Sequence, residues 1–103
     1  MNITTTVTDA LQKLEALGSP AQIRDYFVHE EIHGIRQSGS TCPVRRYLDR
    51  ELEYPSNFWM QVRTYSTAWM HDTVHVEVRH PPLVRTFIEN FDRGDYRELE
   101  STL

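Results

Sequence analysis

Lysine is almost missing: Lys13 is the one lysine among 103 residues, and arginine supplies the rest of the positive charge. Eleven basic residues face 15 acidic ones, a formal charge of −4, so the chain is not built to neutralise phosphates, and no nucleic-acid partner is expected. Cysteine occurs once, at Cys42, which rules out an intramolecular disulfide and a multi-cysteine zinc site. A reducing compartment, the cytoplasm, is the expected location. Long apolar runs are also lacking, and the segment from Met1 to Thr6 has neither the basic flank nor the apolar block of a signal peptide. No membrane association is expected. Internal repeats, low-complexity tracts and linkers are lacking too, which leaves a single domain over residues 1–103, loose at 1–7 and 100–103.

Large apolar side chains are present in sufficient number to order such a domain, with two Trp, five Tyr and four Phe. Thr8 or Asp9 can cap a first helix carrying Ala10, Leu11, Leu14 and Leu17, which Gly18 stops. Ser19-Pro20-Ala21-Gln22 reads as a cap, a first-turn proline and a capping-box glutamine. It opens a second helix with Ile23, Tyr26 and Phe27 on one side, antiparallel to the first and ended by a left-handed Gly34. A loop follows to Ser40. Cys42 or Thr41 then caps a short central helix that starts at Pro43 and turns Val44, Tyr47, Leu48 and Leu52 to one face.

Beyond a turn at Tyr54-Pro55-Ser56-Asn57 the period becomes two. Val74, Val76 and Val78 alternate with His75, Glu77 and Arg79, and strands are expected also at about 58–64 and 67–71. Their short connections require an antiparallel meander. Pro81-Pro82 opens a last long helix with Leu83, Val84, Phe87, Ile88 and Phe91 against the sheet, closed by Gly94. Asp95-Tyr96-Arg97-Glu98 has capping-box spacing for a final turn. The predicted fold class is α+β: two N-terminal helices, a short central helix, a three-stranded antiparallel meander and a C-terminal helix.

On Ile32-His33-Gly34-Ile35, Cys42-Pro43, Tyr47-Leu48, and Pro82 to Phe87 with Phe91-Asp92, Gly94, Tyr96 and Glu98-Leu99, the chain resembles small uncharacterised proteins of actinobacteria and their phages. That group has no assigned activity, so the resemblance implies an origin and no catalytic residue. A phage origin favours a small protein that binds another protein.

Several constellations carry chemistry. His29-Glu30-Glu31-Ile32-His33 has the H-E-x-x-H spacing in which two histidines one helical turn apart bind zinc and the glutamate activates water. A third ligand would come from His71, Asp72, His75, Glu77 or His80. Against this stand a charged Glu31 and the closeness of Gly34. Cys42, at a helix N-terminus beside Arg45 and Arg46, sits where a thiolate is favoured, and the competing assignment is a buried, inert cap. Arg36, Arg45, Arg46 and Arg50 form a basic cluster that suits an acidic partner, or pairs with Asp49, Glu51 and Glu53. Phe58, Trp59, Met60, Tyr65, Trp69 and Met70 crowd the meander, and alternation turns some of them outward unless they are covered.

These features support a non-catalytic interaction protein without a cofactor. It would bind a protein partner, or a second copy of itself, through Trp59, Trp69, Tyr65, Arg36, Arg45, Arg46 and Arg50. The contrasting expectation is a small zinc hydrolase using His29, Glu30 and His33.

Overall fold

Three helix starts follow from the residues that open them. Ser19 is extended and its hydroxyl accepts the N–H of Gln22, with Pro20 behind it at the first helical position. Cys42 does the same at the next helix, its Sγ accepting the N–H of Arg45 at 3.4 Å ahead of Pro43. Pro82 opens the last helix, but Pro81 before it has no side-chain cap to offer.

The computed structural model describes residues 3–52, 58–71 and 73–101. Their order is α1 (Ile3–Glu15), α2 (Pro20–His29), α3 (Pro43–Glu51), β1 (Phe58–Val62), β2 (Ser66–His71), β3 (Val74–Arg79), α4 (Pro82–Asp92) and a closing 3-10 turn, Arg97–Leu99. The sheet is antiparallel in the order β1-β2-β3, which gives the α+β arrangement expected. The turn at residues 54–57, together with Met1, Asn2, Glu53, Asp72, Thr102 and Leu103, lies outside the described residues.

One core joins the helical front to the sheet. Phe27, Tyr47, Phe87, Phe91 and Tyr96 meet ring to ring, with Phe27 edge-on to Phe87 at 5.2 Å between centroids. Buried Tyr47 donates its hydroxyl to the carbonyl of Ala10 at 2.7 Å, tying α3 to α1 and satisfying its phenol. Helices α1 and α2 each pack more extensively on α4 than on one another, so the expected side-by-side pair is replaced by a layer with α4 as the common neighbour. The sheet is covered chiefly by α1 under β3 and α3 against β1, rather than by α4. The apolar faces of α1 and α3 are wide enough to take that role, and Phe87 and Phe91 are drawn to the aromatic cluster instead.

Four sequence expectations are corrected. The first helix begins at Ile3, not at Thr8 or Asp9, because Val7 extends its apolar face and is wholly buried; residues 3–7 are therefore not loose. Gly34 does not take the left-handed position. Glu31 does, at φ 57°, and the glycine is required because a Cβ there would stand 2.4 Å from the nitrogen of Pro43. Glu100 and Ser101 are likewise held: Gly34 donates to the carbonyl of Leu99 and accepts from Ser101 N–H, forming a parallel bridge. The capping box at Asp95 does not form, since the Asp95 carboxylate pairs with Arg93. Tyr96 and Leu99 still reach the core.

Candidate functional site

Pairing fixes which side chains share a face of the sheet. Trp59 lies opposite Met70, and Met70 opposite His75; Gln61, Ala68 and Glu77 make the next row on the same side. Met60, Val62 and Trp69 alternate with them and are buried under the helices. Trp59 is 49% exposed and Met70 42%, so an aromatic ring and a thioether meet across two strands on the outward face. Trp69 is 3% exposed and belongs to the core, which removes it from the expected contact surface. Its place follows from a tight β1–β2 connection that puts Met60, not Trp59, opposite it.

Hydrogen-bond phase then distinguishes the two edges. Arg63 N–H donates to Ser66 and His80 N–H to Tyr65, and bonded pairs alternate along an antiparallel ladder. On β1 this aims the backbone groups of Met60 and Val62 outward, and both are met: Val62 N–H donates to Gly39, and the Arg45 guanidinium donates to the carbonyl of Met60. On β3 it aims those of His75, Glu77 and Arg79 outward. Among the described residues no hydrogen bond reaches them. Val74 stands on the helix side at the end of that strand, beyond the helical layer, and is 60% exposed instead of buried as its alternation suggested. The edge of β3 is open.

The H-E-x-x-H stretch does not keep its spacing on one helical face. α2 ends at His29, Glu30 is its C-cap and Glu31 turns left-handed, so exposed His33 leaves in a loop. Glu30 is also engaged, with Arg50 donating to its carbonyl at 3.1 Å and pairing with its carboxylate at 3.4 Å, and His29 Nδ1 at 3.1 Å on the other carboxylate oxygen. Both carboxylate oxygens of Glu30 are thus held by neighbours on the surface rather than aimed between the two histidines. Of the other histidines, the His71 side chain lies, with Asp72, outside what the structure describes, His75 is on the outer face, and buried His80 is satisfied within the fold. Its Nδ1–H donates to the Thr64 carbonyl at 3.0 Å, so Nε2 accepts from the Thr67 hydroxyl at 2.6 Å. Among the described residues no three His, Cys, Asp or Glu side chains converge as metal ligands.

The arginines are dispersed. Arg45 pairs with Asp49 at 2.9 Å while it holds β1, and Arg36 pairs with Glu100 at 3.1 Å against the Gly94 turn. Arg46 and Arg50 line a depression of about 360 Å³ with Glu30, Glu31 and His33, a surface of mixed sign. Tyr65 is exposed in the turn at the far end of the β1–β2 hairpin from Trp59, under the guanidinium of Arg85. Neither Tyr65 nor these arginines join the Trp59–Met70 row.

Cys42 lines a cleft of about 240 Å³ with Asp92, Ser38 and Gln61. Burial pushes its thiol up to about 11, and no histidine lines the cleft. At neutral pH it is a protonated cap without a base, not a nucleophile.

The composition of the meander pointed to its outer face; that Met70 shares it with Trp59, that Val74 is exposed and that the edge groups of β3 are free of described partners emerge only from register and bond phase. Comparison with protein families, curated proteins and solved structures finds no match to this chain.

Proposed function

We propose that this chain is a non-catalytic protein-interaction domain whose contact surface is the exposed end of the sheet, centred on Trp59 and Met70. The observation that carries this reading is the pairing of those two side chains across β1 and β2, each with two-fifths or more of its surface in water. Tryptophan is among the residue types that dominate interface energetics, and a flexible thioether adapts to a partner's contour. Val74 extends the apolar corner on the other side of the same sheet end. The partner is a protein, and the location is cytoplasmic. An origin in actinobacteria or their phages fits a small binding protein of this kind.

The zinc-hydrolase alternative has no comparable support, because its two histidines are separated by the end of α2. The test is capture from lysate of the native cell by the tagged chain, its Trp59→Ser/Met70→Ser variant and its Arg46→Glu variant. The reading expects a discrete partner retained by Arg46→Glu and lost by the double variant. Equal capture by all three forms would move the surface elsewhere.

A further inference from the structure

The edge of β3 carries its own pattern, and the pattern is self-complementary. Its outward backbone groups belong to His75, Glu77 and Arg79, whose side chains lie on the outer sheet face, while Val74, Val76 and Val78 turn to the helix side. A strand with free groups along a β-branched segment pairs with another strand unless it is covered or blocked. β1 is blocked by Gly39 and Arg45; among the described residues none does the same for β3.

We infer that β3 takes a second copy of itself, antiparallel and centred on Val76, to form a continuous six-stranded sheet across a two-fold axis. The choice of register follows from charge together with the length of strand that is paired. Antiparallel pairing of two identical strands with their helical layers on one side places Val76 opposite Val76, His75 opposite Glu77, and Val74 opposite Val78 of the second copy. Centring on Glu77 instead sets two carboxylates face to face. Centring on Val78 runs His75 against Pro81, at the start of α4, and shortens the ladder. Centring on His75 opposes two imidazoles and wastes the C-terminal end of the strand. The Val78 register pairs Glu77 with Arg79 but gives up the N-terminal part of the strand; the Val76 register pairs His75 with Glu77 on both sides of the axis, uses the whole strand and covers Val74, the most exposed of the large apolar side chains on the described surface.

The consequence for the proposed surface is geometric. A two-fold axis through the sheet keeps both outer faces on one side, so the Trp59–Met70 pairs of the two copies flank the joined β3 strands. This inference rests on reading the sheet as an interaction surface and adds the occupant of its edge.

Sedimentation equilibrium of the full chain tests it. The wild type is expected to dimerise. Glu77→Pro removes an N–H that points away from β2, leaves the internal ladder intact and is expected to weaken dimerisation at least about 100-fold. His75→Glu and Glu77→Lys involve no backbone restriction; each alone is expected to weaken the dimer roughly ten-fold, and the double variant to restore it. A disulfide forming on mixing His75→Cys with Glu77→Cys chains, and in neither chain alone, places the register. A wild type that stays monomeric up to about 1 mM, or a dimer indifferent to Glu77→Pro and to the charge exchange, overturns the inference. A monomer that still captures a partner through Trp59 and Met70 defeats self-pairing alone and leaves the interaction-domain reading standing.

Discussion

The carboxylate of Glu15, in the last turn of α1, accepts the backbone N–H groups of Leu83 at 3.0 and 3.1 Å and of Val84 at 3.2 Å. It serves as the missing cap of α4, whose own preceding residue, Pro81, has no polar side chain. An anion at this position also complements the positive end of the helix. Glu15→Ala is therefore expected to lower stability by about 1–2 kcal/mol, measured by urea denaturation. Glu15→Gln should retain part of that. A loss indistinguishable from that of Glu89→Ala, on the exposed side of α4, would contradict the assignment.

The two tryptophans should behave as different kinds of residue. Trp69→Ala removes a buried indole and is expected to cost about 3–5 kcal/mol, enough to threaten a domain of this size. Trp59→Ser should change stability by no more than about 0.5 kcal/mol. Acrylamide quenching separates them without substitution: in the native protein one emitter should be accessible and the other protected. Equal access for both would contradict the register.

Cys42 should resist thiol reagents at neutral pH and react at the rate of unfolding, which labelling with a chromogenic disulfide can follow. With the folded thiol held near 11, the unfolded chain ionises first as pH rises past about 8.5. The unfolded state then binds fewer protons than the folded one, so stability falls from there toward pH 11. Its size is at most about 3 kcal/mol. Tyr47, whose phenol burial also pushes upward, adds to the same alkaline loss.

His80 governs the acid side. Burial lowers its imidazole below the usual range, and both ring nitrogens are bonded in the neutral form. Its stabilising contribution is complete above the unfolded value of about 6.5 and is lost as pH falls through the lower folded value, because the unfolded chain takes up the proton more readily. Denaturation midpoints should drop between pH 7 and 5, and His80→Gln should flatten that slope. An NMR titration that puts His80 at or above about 6.5 would contradict this.

Much of the fold was legible because it depends on local chemistry. Ser19-Pro20 and Cys42-Pro43 announce helix starts through capping and a preset φ, and Gly18 and Gly94 do take the left-handed conformation at helix ends. Gly34 misled because close backbone approach and left-handed geometry both select glycine, and sequence does not distinguish them. The cap of α4 was invisible for another reason: the accepting carboxylate, that of Glu15, is 68 positions from Leu83. The same holds for the candidate site. Alternation requires that one tryptophan face out, but only the pairing of Trp59 with Met70 says which, and only bond phase separates the closed edge from the open one.

The most direct measurement places a photo-crosslinking amino acid at Trp59 in the chain expressed in its native cell, with Gln12, exposed on α1, as the control position. The account predicts a discrete adduct from position 59, to a partner or to a second copy, and none of that mass from position 12. No adduct from position 59, or the same adduct from both positions, would contradict the claim that the outer sheet face is where this protein meets another.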